Sequence, residues 1–142
     1  MLIDTNVFLE LLLGQRRAED CRRYLEVVSE GKLEAVVTRY SLHAVESILC
    51  RPELISEFIA AADRSAGLHV FETGNADELG VALLMNGTGL DFDDALQYYV
   101  AKRTGAEAIV SFDKHFDKTD LPRIEPAEAL EFLKPANRKK KS

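Results

Sequence analysis

Strands alternating with helices predict a three-layer α/β/α sandwich with a central, mostly parallel sheet of four to five strands. Three observations carry this expectation. Short apolar or β-branched runs recur, as in LEAVVT, GLHVFET and AEAIVSFD. Between them lie segments with apolar residues at helical spacing, and the junctions hold Gly, Pro or cap-forming residues. At 142 residues the chain fits one domain, long enough to bury about 70% of its unfolded surface.

MLIDT reads as a short buried strand, and NVFLELLLG begins a helical segment that stops at Gly14. Residues 17–30 fit a helix with Cys21, Tyr24, Leu25 and Val28 on one face, closed by Gly31. LEAVVT (33–38) is the second strand. RYSLHAVESILC follows with Leu42, Val45 and Leu49 at helical spacing, ended by Pro52. Residues 53–65 give another helix and GLHVFET (67–73) the third strand. NADELGVALLMNG is helical, with Asn75 as N-cap and Gly87 as stop. The helix after Asp91 has a buried stripe of Phe92, Leu96, Tyr99, Val100 and the stem of Arg103, with Ala95 close by. Residues 106–113 form the fourth strand, RIEP a short fifth, and Glu128 to Leu133 a closing helix.

Composition is that of a globular protein, 46% hydrophobic and 30% charged. No apolar run approaches the roughly 18 residues that span a bilayer, and the N-terminus lacks a basic signal-peptide region. A cytoplasmic protein without a membrane segment is expected. Cys21 and Cys50 lack metal or redox spacing and read as small buried hydrophobes. The three histidines, His43, His69 and His115, are scattered, which argues against histidine-rich ligation. Net charge is −6, although NRKKKS near the C-terminus is basic. We take residues 1–134 as the folded domain and 135–142 as a basic, disordered tail. An acidic surface does not suggest sequence-specific nucleic-acid reading.

Acids gather where the fold class puts ligands, at the carboxyl ends of parallel strands. Asp4 ends the first strand and Asp113 ends AIVSF, so the two can face one cleft. Asp94 lies in the first turn of a helix entering from the same side, and Glu46 lies on the helix after the second strand. Each has a local explanation as well: Asp4, Asp91 and Asp94 as helix-cap or dipole residues, Asp113 as a turn initiator, Glu46 as a solvated acid. Only a metal site requires them to share a cleft. Two like charges about 4 Å apart cost about 4 kcal/mol at an effective dielectric near 20, which protonation or a cation relieves. Carboxylate oxygens suit Mg²⁺ or Mn²⁺. Among the three aspartates of LDFDDAL, Asp91 fits the cap, Asp93 falls on the solvated side, and Asp94 lies at the margin of the buried stripe. A different helix start would exchange Asp93 for Asp94.

MLIDTNVFLE, the acid in SLHAVESIL, and LDFDDALQYYVAKRTGAEAIVSFDKHF together resemble the PIN domain, most nearly the VapC-type ribonuclease toxins. The resemblance covers residues 1 to 133. It implies a PIN-like nuclease domain and an endoribonuclease using Mg²⁺ or Mn²⁺, cutting to leave a 5′-phosphate and a 3′-hydroxyl. By position it makes Asp4, Glu46, Asp94 and Asp113 the catalytic and metal-binding acids, with Asn6 and Ser111 orienting them. It also implies an RNA substrate, a cognate antitoxin and a homodimer, for which VFLELLL could supply apolar surface.

Cations that could guide RNA are Arg16, Arg17, Arg39, Lys102, Arg103, Lys114 and Lys118. Lys114 and His115 beside Asp113 are best placed for phosphate, with Arg39 a further candidate; His115 can equally pack with Phe112 and Phe116. Two other readings remain: a Mg²⁺-binding receiver-like module, whose acid layout fits poorly, and a non-catalytic partner-binding protein whose acids are caps.

Overall fold

The computed structural model describes residues 1–133, so the predicted tail lies outside the described residues. Five strands form one sheet: β1 (Leu2–Ile3), β2 (Ala35–Thr38), β3 (Leu68–Phe71), β4 (Ile109–Val110) and β5 (Arg123–Ile124). Their order is β3-β2-β1-β4-β5, and every pairing is parallel. The expected sheet was mostly parallel with four to five strands; it has all five. The chain builds outward from β1 to β3, then crosses to the other side of β1 for β4 and β5. Thus β1 and β4 are neighbours separated by most of the sequence, and the crevice at their carboxyl ends is the topological switch point.

Period-two alternation sorts the strand residues between two faces. Ile3, Ala35, Val37 and Val110 point into one core, whereas Leu2 and Ile109 point into the other. The first core is closed by α1 (Thr5–Leu12), α2 (Ala18–Ser29), α3 (Arg39–Leu49), α4 (Pro52–Arg64) and α7 (Pro126–Ala129). The second lies under α6 (Phe92–Arg103), with α5 (Asn75–Thr88) packed on it. A 3₁₀ turn at Lys114–Lys118 follows β4, and another at Leu130–Leu133 extends α7. No helix among the described residues is long and apolar enough to cross a membrane.

Most element boundaries follow the sequence signals, and the differences have local causes. Pro52 opens α4 at its first turn, where a missing N–H costs nothing. The N-cap of α5 is Gly74, not Asn75; the Gly74 N–H donates to Asp77 Oδ2 at 3.0 Å. That helix runs through Gly87 and stops at Gly89, whose φ of +71° supplies the left-handed turn. The stripe of α6 is broader than expected. Asp94, Ala95, Leu96, Gln97, Val100 and Ala101 are buried because this helix is covered by the sheet and by α5, whereas Phe92 and Tyr99 are only partly buried. Arg103 stays exposed and donates to Asp77 Oδ1 at 2.8 Å. Cys50 is also exposed, at the left-handed C-cap of α3, while Cys21 is buried as expected.

One backbone approach is intolerant of any side chain. A Cβ on Gly67, just before β3, would lie 2.2 Å from the Leu33 carbonyl oxygen and 2.6 Å from that of Val28. Gly67→Ala is expected to cost about 2 kcal/mol or more, read as a lower urea midpoint. Gly87→Ala, with nothing within 4 Å of its Cβ, should be neutral or stabilising by up to about 1 kcal/mol.

Candidate active site

The parallel pairing of β1 with β4 brings Asp4 beside Ser111, 107 positions later. Asp4 is the N-cap of α1, and its Oδ1 accepts from the Thr5 N–H at 2.8 Å. Its Oδ2 accepts from the Ser111 hydroxyl at 2.7 Å. That hydroxyl in turn accepts from the Asp113 N–H at 2.9 Å and from Asn6 Nδ2 at 3.3 Å. Ser111 is fully buried, so one hydroxyl joins both strand ends and the start of α1.

Asp94 reaches the same place from α6. Asp91 caps this helix, accepting from the Asp94 N–H at 3.0 Å, and Asp93 is exposed, accepting from the Tyr40 hydroxyl at 2.5 Å. Capping at Asp91 sets the rotation of α6 that turns Asp94 inward, to 8% exposure. His115 completes the cluster. Its Nδ1 lies 3.1 Å from Asp94 Oδ2 and 3.1 Å from Asp113 Oδ1. Asp113 Oδ1 also accepts from the His115 N–H at 2.9 Å, starting the tight turn that folds the imidazole back. One ligand atom each from Asp94, Asp113 and His115 lie within 4.8 Å of one another.

The electrostatics are those of crowded acids. Burial is the main cause that pushes the Asp4 carboxyl up to about 6, and the neighbouring Asp94 and Asp113 add to it. Hydrogen bonds from Ser111 and Thr5 work against the rise. Burial likewise raises Asp94; His115 opposes this, while Asp91 and Asp113 reinforce it.

Other sequence-predicted residues lie elsewhere. Glu46 does not share ligand distance with Asp94, Asp113 and His115. Its Oε1 meets His43 Nδ1 at 3.1 Å, and it lines a hollow with Arg39, Pro52, Ile55 and Ile59. The reason is helical phase: Ser41, Leu42, Val45 and Leu49 face the core, which turns Glu46 toward α4. Arg39 is half-buried at the start of α3, 3.9 Å from Glu72 Oε2, and Lys114 is exposed beside Asp113. His115, expected to contact phosphate or to pack with Phe112 and Phe116, turns its Nδ1 to Asp94 and Asp113 while its ring stays exposed. Two of the expected guides also make contacts within the fold. Arg17 stacks 4.0 Å over the Phe112 ring and pairs with Glu125 at 2.8 Å, while Lys102 pairs with Asp120 at 2.9 Å.

Sequence reasoning missed a buried polar group next to the acids. Gln97, one turn after Asp94, donates to Ser41 Oγ at 2.6 Å, and Thr5 Oγ1 donates to the same oxygen at 2.8 Å. Gln97 Oε1 has no partner among the described residues. The available signal was the polar Gln97 between Leu96 and Val100 on a buried helix.

A parallel five-stranded sheet with carboxylates converging at its switch point defines an α/β protein whose acids gather at the edge where such sheets place their ligand sites. The model of the PIN domain matches residues 1–121, and the chain belongs to that family. Solved structures agree on the fold. A toxin–antitoxin complex from Klebsiella pneumoniae superposes with a TM-score of 0.67 at 15% identity, covering 88% of this chain and 96% of that one. VapC20 of Mycobacterium tuberculosis, a toxin described as cleaving the sarcin–ricin loop, gives 0.64 at 17% identity, covering 84% and 95%. VapBC2 of Rickettsia felis, bound to a DNA fragment from its promoter, gives 0.61 at 12% identity, covering 87% and 96%. Comparison with curated protein sequences returns no match.

The raised Asp4 carboxyl has a thermodynamic consequence. Between the ordinary carboxylate value near 4 and its folded value of about 6, the folded chain keeps a proton the unfolded chain has lost. Stability without divalent ions should therefore fall as pH rises from about 4 to 6, by on the order of 3 kcal/mol, and level off above. Asp4→Asn should flatten this slope in urea melts across the same window.

Proposed function

We propose that this protein is a divalent-metal-dependent endoribonuclease, hydrolysing RNA phosphodiester bonds at the carboxyl edge of the β1–β4 crevice. The observation that carries the reading is the convergence of Asp94, Asp113 and His115 within ligand distance, next to the buried Asp4. Membership of the PIN family supports it. The donor set fits a divalent ion: carboxylate oxygens suit Mg²⁺ and Mn²⁺, and an imidazole tips the balance toward Mn²⁺ and later transition ions. Asp94, Asp113 and His115 would hold the cation, with Asp4 facing it, while Ser111 and Asn6 keep these carboxylates oriented. A bound divalent cation supplies neutralisation of the scissile phosphate and a water acidified enough to attack at neutral pH.

The chain's own residues supply placement. Asp4 and Asp94 sit in largely water-excluded positions, where their negative charge favours a cation more than a surface carboxylate would. The Ser111 hydroxyl accepts from the Asp113 N–H and donates to Asp4, so the two strand ends move together. Glu46, whose Oε1 meets His43 Nδ1 at 3.1 Å, is proposed as the further acid of the set, joining Asp4, Asp94 and Asp113 when a cation binds.

The toxin–antitoxin neighbours support two further parts of the proposal: a cognate antitoxin as partner and a toxin role in the cytoplasm. A homodimer is proposed with them.

Asp4→Asn and Asp94→Asn should each reduce cleavage of end-labelled single-stranded RNA at least about 100-fold in Mn²⁺, with EDTA abolishing wild-type cleavage. Glu46→Gln should reduce cleavage as well. Undiminished cleavage by both aspartate variants would sink the assignment. His115→Ala should weaken Mn²⁺ binding about 10- to 100-fold by calorimetry, the range seen when a coordination sphere loses a supporting group.

A further inference from the structure

Tyr40 and Phe92 stand at the rim of the acidic crevice, each in the first turn of its helix, α3 and α6. Both helices start on the sheet edge that carries the acids, and Phe92 lies two residues before Asp94. The rings meet edge-on, with centroids 6.5 Å apart and planes at 75°. The Tyr40 hydroxyl donates to Asp93 Oδ1 at 2.5 Å, and Phe92 is seated against the core that contains Val81 and Leu96. Tyr40 is thus held at both its edge and its tip, yet it remains 41% exposed. An aromatic ring with so much surface in water gains little from this position as a packing group.

We propose that Tyr40, backed by Phe92, is a stacking platform for one unpaired nucleobase of the RNA substrate, next to the acidic cluster. The idea rests on the nuclease reading above and adds the chemistry by which an acidic protein holds a polyanion. Asp91, Asp93 and Asp94 crowd the start of α6, so the phosphate backbone is repelled there unless a cation intervenes. A nucleobase face is uncharged and can approach where a phosphate cannot. Every base has such a face, so stacking tolerates sequence and favours single strands, whose bases are free to splay out. The two contacts that fix the Tyr40 ring reduce the ordering cost of binding. Arg39, the residue before Tyr40, is half-buried and only loosely paired with Glu72, leaving its guanidinium able to meet the phosphate of the stacked nucleotide.

The chain contains no tryptophan, so Tyr40→Trp places a single indole at the platform. With Ca²⁺ as the divalent ion, single-stranded oligoadenylate should quench its fluorescence saturably, and an abasic oligomer of equal length should not. In fluorescence anisotropy with labelled oligoadenylate, Tyr40→Ala should weaken binding about tenfold, and Tyr40→Phe, which keeps the ring face, should recover most of it. The proposal falls if Tyr40→Ala binds as tightly as wild type, if both oligomers leave the indole equally unaffected, or if wild type binds no RNA. Base-dependent quenching in a protein that cuts no RNA with Mg²⁺ or Mn²⁺ would keep the platform and overturn the nuclease reading. Cleavage with no dependence on Tyr40 or on the base would do the reverse.

Discussion

The Ser111 hydroxyl, donating to Asp4 at 2.7 Å and accepting from Asn6 and the Asp113 backbone, is the contact on which the site depends. It exists because β1 and β4 are parallel neighbours in register, Ile3 beside Val110. Each strand carries only two paired residues, so slippage by one would turn Asp4 or Ser111 away from the crevice. Complete burial of Leu2, Ile3, Ile109 and Val110 opposes that slip on both faces at once. Core packing and site geometry are therefore one constraint.

From this follows an electrostatic tension. Asp4 and Asp94 are buried close to Asp113, and burial and mutual repulsion both oppose their ionisation. His115 relieves part of it at Asp94, and hydrogen bonds from Ser111 and Thr5 relieve part at Asp4. Beside the acids, Gln97, Ser41, Thr38 and Thr5 form a buried polar group that joins α6, α3 and α1. Such a group holds the starts of α1 and α3 against the middle of α6, with one amide oxygen on Gln97 left unpaired among the described residues. Around the outside, Arg17 on Phe112 and Arg123 on Asp117 and the Ser111 carbonyl hold the loop that carries Asp113.

The roles of the aspartates in LDFDDAL were legible because they follow from local rules. An N-cap must precede the helix, its third neighbour lies over the first turn, and the residue between points to water. The structure keeps that division at Asp91, Asp93 and Asp94. Glu46 and His115 were not legible in the same way. Glu46 belongs to an amphipathic helix whose apolar face does not by itself fix its neighbours; the packing of α3 sets it beside His43 and the hollow lined by α4. The sequence places His115 beside Asp113 as a phosphate-contact candidate but gives it no link to α6; a 3₁₀ turn capped by Asp113 returns its ring toward Asp94.

By itself, the sequence determined the alternation of strands and helices, the parallel sheet, and the strand-end positions of Asp4 and Asp113. These follow from periodicity, caps and breakers, which act over a few residues. The tertiary structure alone decided which groups meet: Asp94 and His115 with Asp113, Ser111 with Asp4, Glu46 with His43, Tyr40 with Phe92. Such meetings depend on the rotation of each helix about its axis and the register of each strand. Those are settled only when both faces of the sheet are packed at once.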